Sequence, residues 1–372
     1  MKAKILIVAA RAVQGAGAAL VMPLAMALLS VAFPREQRGK ALGIFSSITG
    51  LPLIAGPILG GAIAGGFDWR WIFWLNVPIG LIVLPFARSR ITESRGQDTS
   101  LDIGGIALVT SAAFGIVWGL MRANEAGWSS LEVLAALAIG TVLAATFIGY
   151  ERRMPTPMVP MRLFGSRAFA AGNVTGFCLY ASMYGVLFFL PQFLQVAQGN
   201  DPLGAGLRLV PWEATLFVFA PLGGALVNRI GERALIVAGL GLQAFGLAWI
   251  AVVAAPSLPY ASLVTPLIVA GAGVSVAMPA AQNAVLGSVL PAEIGKASGT
   301  FNMLRFLGGV FGIAVQAAAF TASGSFVEPY AFTAGFVPAI GIAMVLSLAG
   351  ATAGLWLPGR HRNAVTLAPA KA

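Results

Sequence analysis

Long apolar stretches separated by short polar segments run through almost the whole chain. Most of them exceed the roughly 20 residues that an α-helix needs to cross about 30 Å of hydrocarbon. Their approximate limits are 5–33, 41–66, 71–87, 103–122, 131–150, 168–198, 204–228, 234–254, 260–290, 297–322 and 331–357. Membrane strands would alternate in polarity over about ten residues, and this pattern is absent. We therefore predict an all-α polytopic membrane protein with about eleven transmembrane helices.

The composition strengthens this interpretation. Apolar residues make up 58% of the 372 residues and charged residues only 10%, whereas about 25% of a typical soluble domain is charged. A water-soluble fold could not cover its surface with so few charges, and a disordered chain would be poor in apolar residues. The single cysteine, Cys178, and the single histidine, His361, exclude an internal disulfide and a metal site built on several such ligands. We predict no metal and no cofactor.

The distribution of basic residues predicts the orientation in the membrane. One set of alternate loops and the tail hold Arg35, Arg38, Lys40, Arg88, Arg90, Arg95, Arg152, Arg153, Arg162, Arg167, Arg229, Arg233, Lys296, Arg360, Arg362 and Lys371. The opposite side holds only Lys2, Lys4, Arg70 and Arg122. By the positive-inside rule the first set is cytoplasmic, which places the C-terminus inside and the N-terminus outside a cell (inner or plasma) membrane. The same rule accounts for the net charge of +10 without nucleic-acid binding.

An internal repeat divides the chain. Residues 15–25 align with 271–281 at an offset of 256, with six of eleven positions identical. Residues 39–43 align with 295–299 at the same offset, and both copies of this Gly-Lys-Ala segment are predicted to be cytoplasmic loops. A repeat in the same orientation is typical of two bundle halves related by an axis along the membrane normal.

The repeat predicts four regions. Residues 1–90 hold three helices of an N-terminal half, and 91–165 hold two extra linker helices with their cytoplasmic loops. Residues 166–358 form a six-helix C-terminal half, and 359–372 form a cytoplasmic tail. The first half then lacks three helices before residue 1, which also explains the unusual external N-terminus. Fourteen helices are expected in all.

Several motifs resemble those of one family. Arg11 to Ala18 is similar to a fourth-helix RxxQGxGxA motif, and Gly56-Pro57 with Gly60-Gly61 resembles a fifth-helix antiporter motif followed by a similar segment, 69–80. Residues 224–233 resemble the cytoplasmic GxLaDRxGRR loop, with Asn228 where an acid is usual. The chain thus resembles the fourteen-helix drug:proton antiporters of the major facilitator superfamily.

The resemblance implies a major facilitator-type bundle and a secondary active transporter rather than an enzyme. It implies proton-coupled, multidrug-type efflux of hydrophobic or cationic small molecules by alternating access. The partners are then a small-molecule substrate, protons and the lipid bilayer, with an accessory periplasmic protein left open. The absence of a GxxxxGK[ST] sequence argues against an ATP-driven pump. An exporter of another small metabolite and a truncated fragment that does not transport remain alternatives.

Small residues form the predicted conformational motif. On the segment 41–66, glycines would let another helix approach closely, and Pro57 would favour a bend. Simple packing is the alternative to a seam that closes one side of a cavity. The residues are Gly56, Pro57, Gly60 and Gly61, together with the loop residues Gly224, Asn228, Arg229, Gly231 and Arg233.

Polar and aromatic side chains within the apolar stretches are candidates for the substrate path. An amide that faces lipid is costly, which favours Gln14, Gln192, Gln195, Gln282 and Asn283. The segment 168–198 adds an aromatic and methionine set whose alternative role is packing. That set contains Phe177, Tyr180, Met183, Tyr184 and Phe188.

Three charged residues are candidates for proton coupling. Glu213 is the only acid deep in a predicted helix, about 14 Å from its start at 1.5 Å per residue. An ionised carboxylate at this depth is expensive, so it normally pairs, takes up a proton or lines a wet path. Arg11, which lies in the motif linked to proton transfer, and Arg305 could pair with it across the bundle. A static ion pair, a protonated glutamate in the core and arginines that only fix helix packing are the alternatives.

Overall fold

The computed structural model describes residues 2–66, 70–74, 76–91 and 102–359. These residues form α-helices with short 3₁₀ and π turns and no strand. The helices are α1 (Lys2–Ala32), α2 (Arg35–Gly66), α3 (Trp71–Trp74), α4 (Asn76–Arg90), α5 (Ile103–Ala126), α6 (Leu131–Glu151), α7 (Arg167–Gln192), α8 (Pro202–Ile230), α9 (Glu232–Val253), α10 (Tyr260–Gly287), α11 (Ile294–Ser323) and α12 (Pro329–Gly354). A π turn, Phe193–Ala197, extends α7.

Helices occupy all eleven predicted segments. Nine helices within the described ranges are long and apolar enough to cross a membrane, so the all-α, multi-pass architecture is confirmed. The predicted segment 71–87 is divided into α3 and α4, and α4 continues through Pro85 to Arg90.

The two Gly-Lys-Ala segments of the repeat are not loops. Residues 39–43 lie in the first turns of α2, and residues 295–299 lie in the first turns of α11. Hydropathy marks only the part of a helix that crosses hydrocarbon. Arg, Glu and Lys are good helix formers, so both helices extend past their apolar stretches into polar sequence.

Local signals in the sequence determine where several helices begin. Asp102 caps α5 by accepting the N–H of Gly105 at 2.8 Å, and Asp201 caps α8 by accepting the N–H of Gly204 at 3.0 Å. Gly231 ends α8 with a φ of 90°, a conformation that a residue with a β-carbon rarely adopts. The chain therefore turns directly from α8 into α9.

Helices α7 to α12 form the main bundle, α5 and α6 pack as a pair beside α11, and α2 packs along α8. Glycines permit close contact between α7 and α11, because a β-carbon at Gly308 would lie 2.5 Å from the carbonyl oxygen of Phe177. Near one end of the bundle, Phe193 stacks on Phe336 with ring centroids 4.4 Å apart. These contacts hold the helices of the main bundle together.

Candidate functional site: a central cavity

A cavity of about 200 Å³ lies among five helices. Each helix contributes residues from its central turns, so the cavity lies well inside the bundle. Its wall mixes apolar, aromatic and thioether surface with a few polar groups. The lining residues are Ser46, Thr49 and Pro52 on α2, Met183, Tyr184 and Leu187 on α7, Trp212, Glu213 and Leu216 on α8, Val274, Ser275 and Met278 on α10, and Arg305 on α11.

Glu213 supplies the only carboxyl group in this wall. It is 6% exposed, and it is the twelfth residue of the 29-residue α8, about 17 Å from the start at 1.5 Å per residue. This is deeper than the sequence predicted, because α8 begins earlier. Among the described residues it has neither an ion-pair nor a hydrogen-bond partner. The structure thus places in the cavity wall a carboxyl group that has no partner among the described residues.

Arg305 lies in the same wall but does not pair with Glu213. Its guanidinium stacks over the ring of Tyr180 at 4.4 Å from the centroid and donates to the Tyr184 hydroxyl at 3.5 Å. Its Nε is buried and has no acceptor within the described structure. Gln282 supports the cluster by donating to the Tyr180 hydroxyl at 3.4 Å. The predicted pair of Glu213 with Arg305 is therefore absent, although both residues face one cavity.

The crossing of α2 and α8 closes one end of the cavity. A β-carbon at Gly43 would lie 2.5 Å from the carbonyl oxygen of Ala220, and Gly39 meets Gly224 more closely still. The hydroxyl of Ser47 also donates to the carbonyl of Leu216 at 3.0 Å. The backbones of these two helices are thus in direct contact, as small residues permit in membranes.

The predicted cytoplasmic motif lies at the end of this crossing. The Asn228 amide donates to the backbone carbonyl of Glu36 in the first turn of α2. Asn228 therefore contacts α2 through a neutral hydrogen bond where an acid was expected. Arg229 and Arg233 are exposed on either side of Gly231.

The structure brings only some of the predicted path residues to the cavity. Tyr184 lines it, and Tyr180 and Gln282 lie directly behind Arg305. Asn283 instead donates to the Glu232 carboxylate at 2.8 Å, at the α8–α9 turn. Gln282 and Asn283 lie near the end of α10, which ends at Gly287.

Other predicted residues lie elsewhere. Gln192 donates to its own helix at the Phe188 carbonyl, at 2.7 Å, and Gln195 belongs to the π turn after α7. Gln14 and Gly56 are exposed. The side chains of Arg11 and Pro57, and the surroundings of Gly60 and Gly61, lie outside the described part of the structure.

Two polar cavity residues on α2, Ser46 and Thr49, were not among the predicted path residues. They are three residues apart, and residues three apart share one face of a helix. This spacing of small polar residues in an apolar helix was a readable signal. Trp212 and Met278 gave no such signal, because aromatic and thioether side chains are common throughout the membrane helices.

Comparison with known proteins gives the family. The family model described as Major Facilitator Superfamily matches residues 3–313. The chain belongs to the major facilitator superfamily. A tetracenomycin C resistance and export protein of Streptomyces glaucescens is 32% identical over 97% of this chain and 68% of its own length. The match confirms the predicted superfamily, whose members are transporters rather than enzymes.

Two further relatives carry multidrug names. The multidrug resistance protein Stp of Mycobacterium tuberculosis is 32% identical over 82% of this chain and 57% of its own length. The multidrug transporter protein MdtP of Bacillus subtilis is 29% identical over 84% of this chain and 58% of its own length. The chain therefore spans roughly three-fifths of the length of these two relatives. It is a multi-pass protein of the cell membrane.

Proposed function

We propose that this chain exports hydrophobic or cationic small molecules in exchange for protons, as a multidrug-type efflux transporter. The family and the export and resistance names of its relatives support efflux. The observation that carries the proposal is Glu213, a buried carboxyl group without a partner in the wall of a central cavity.

The chemistry of the cavity suits this exchange. A carboxyl group in an apolar wall either holds a proton or balances a positive charge on a bound molecule, and it does not do both at once. The faces of Trp212 and Tyr184 attract organic cations, and the thioethers of Met183 and Met278 adapt to varied shapes. Substrate and proton then compete for one group, which is the requirement for antiport.

Alternating access needs a contact that opens and closes. The α2–α8 crossing supplies one, because α2 belongs to the proposed N-terminal region, 1–90, and α8 to the proposed six-helix region, 166–358. Its contacts at Gly39, Gly43 and Gly224 involve almost no side chains. Separation of the two helices at this end exposes the cavity to that side, which we propose to be the cytoplasmic side that also holds the C-terminus.

The direct test is transport against a gradient in proteoliposomes that contain the purified protein. With ethidium as a cationic probe, a pH gradient is expected to drive accumulation by the wild-type protein. Glu213→Gln is expected to abolish uphill accumulation while it retains binding and exchange of the probe, since Gln cannot cycle a proton.

The matched control is Glu328→Gln, at an exposed position before α12. It is expected to transport at the wild-type rate. Wild-type uphill transport by Glu213→Gln would overturn the coupling role of Glu213. Failure of the wild-type protein to move ethidium or a neutral hydrophobic probe in either direction would overturn the proposed function itself.

A further inference from the structure

A second buried acidic group lies at the shared end of α5 and α6, outside the central cavity. It consists of Asp102, which caps α5, and Tyr150 and Glu151 at the end of α6. Asp102 Oδ1 accepts the Gly105 N–H at 2.8 Å and the Tyr150 hydroxyl at 3.1 Å. Glu151 Oε2 accepts the Val159 N–H at 3.0 Å. Each carboxyl group thus has one oxygen fixed by donors.

The other two oxygens have no donor. Asp102 Oδ2 and Glu151 Oε1 are both buried, and neither has a hydrogen-bond partner in the described ranges. Glu151 as a whole is only 2% exposed. A β-carbon built on Gly105 would lie 2.5 Å from Asp102 Oδ2 and 2.9 Å from Glu151 Oε1, so the two oxygens converge on one point.

Two ionised carboxylates whose oxygens both lie within about 3 Å of one buried point repel each other strongly, and a proton held between them removes that repulsion. We propose that Asp102 and Glu151 share one proton, held between Oδ2 and Oε1, at a second proton site that is independent of transport in the cavity.

The shared proton clamps the α6–α7 linker, residues 152–166, to its neighbours. Glu151 holds the linker through Val159, and Lys296 of α11 donates to the Pro157 carbonyl at 2.8 Å. A salt bridge between Arg162 and Glu293 fixes the far end of the linker next to α11. The clamp thus ties the α5–α6 pair to α11, the helix that carries Arg305.

The direction of the pH effect follows from the groups that surround the pair. The titratable groups that act on Glu151 are Asp102 beside it and Lys296 on α11, and Tyr150 contacts Asp102. With the proton bound, the pair carries one negative charge, which the ammonium of Lys296 partly offsets. Loss of the proton as pH rises leaves two facing charges, and Glu151 moves away from Asp102 and releases Val159. The clamp is therefore closed at lower pH and open at higher pH.

The first experiment measures the proton directly by infrared spectroscopy. A Glu213→Gln background removes the cavity carboxyl from the spectrum. In that background the carbonyl band of a buried carboxylic acid is expected to disappear on raising the pH. It should also be absent at every pH in both Asp102→Asn and Glu151→Gln, because each amide can donate to the remaining carboxylate. Glu132→Gln, whose partner is Arg122 at the other end of α6, should leave the band unchanged.

The second experiment measures the clamp by hydrogen exchange at Val159 in the full chain, with rates corrected for the intrinsic effect of pH. Protection is expected to fall at least tenfold as the infrared band disappears in the wild-type protein. In Asp102→Asn protection should not depend on pH. A band that persists in either single variant, or Val159 protection that has the same pH profile in wild type and Asp102→Asn, overturns the proposal. Neither readout depends on transport, so the proposed function stands or fails separately.

Discussion

At the scale of single residues, the central feature is a pair of opposite charges that share a cavity without contact. Arg305 is held away from Glu213 by its stacking on Tyr180 and its hydrogen bond to Tyr184. A direct ion pair would neutralise both groups and leave the carboxyl unable to bind a cation. The aromatic ring under Arg305 therefore keeps Glu213 available.

This arrangement predicts that Arg305→Lys is not a conservative change. Lysine keeps the charge but loses the planar group that stacks on Tyr180, and its flexible ammonium is expected to reach Glu213. The new ion pair competes with the probe for the carboxyl, and a competing interaction of about 2 kcal/mol lowers the probe affinity more than tenfold. The measurement is ethidium binding to the purified protein at constant pH.

Arg208→Lys provides the control for that measurement. Arg208 also stacks on a tyrosine, Tyr260, at 5.1 Å, but it does not line the cavity. Its substitution is expected to change affinity less than about twofold, within the range of exposed cation–π contacts. If Arg305→Lys and Arg208→Lys lower the ethidium affinity equally, the stacking of Arg305 on Tyr180 does not keep Glu213 available.

At the scale of elements, glycine contacts determine which helices can meet. The α2–α8 crossing and the α7–α11 seam both bring a backbone carbonyl of one helix against a glycine of the other. The first joins helices from different regions of the chain and is expected to open during transport. The second lies within the main bundle and is expected to stay closed.

Gly43→Leu tests the crossing that opens. A side chain there meets Ala220 and Pro221 of α8, so the closed contact cannot form, and the efflux rate is expected to fall at least tenfold. A cysteine pair is introduced at Ser47 and Leu216 in a Cys178→Ala background. The pair should form a disulfide cross-link when position 43 is glycine and should not form one when it is leucine. Gly241→Leu on α9, where nothing lies within 4 Å, should change neither readout.

Gly312→Ala tests the seam that stays closed. Its β-carbon would meet the Ala181 carbonyl of α7, and overpacking of this kind costs about 1–3 kcal/mol. The thermal unfolding midpoint in detergent is expected to fall by several degrees. Gly299→Ala on the same helix, with open space around it, should leave the midpoint unchanged or raise it, since alanine is the better helix former. Equal shifts would contradict the assigned contact.

Much of this architecture could be predicted from sequence, for physical reasons. A chain in hydrocarbon must satisfy its own backbone hydrogen bonds, so each long apolar stretch had to be a helix. Helix ends were less predictable, because the polar residues 35–38 before Gly39, and Lys296 after Gly295, continue their helices beyond the apolar stretches. The acid at Glu213 could be identified from its depth alone. Its lack of an ion pair could not, because the rotation of α8 against α11 depends on packing between distant segments.

At the scale of the whole molecule, α2 and helices of the main bundle surround a cavity whose described wall holds one carboxyl group, that of Glu213. The Glu213 carboxyl and the α2–α8 crossing are about two to three turns of α8 apart. Binding of a proton or a substrate at Glu213 and closure of the α2–α8 crossing therefore both involve α8. The central claim is that substrate and proton exclude each other at Glu213.

Proton release on substrate binding tests this claim most directly. Purified protein in weakly buffered solution with a pH indicator receives ethidium at a pH where Glu213 holds its proton. The account predicts release of about one proton per ethidium bound by the wild type and by Glu328→Gln, and none by Glu213→Gln that still binds the probe. Equal release by Glu213→Gln and the wild type, or binding by the wild type without release at any pH, would contradict the claim.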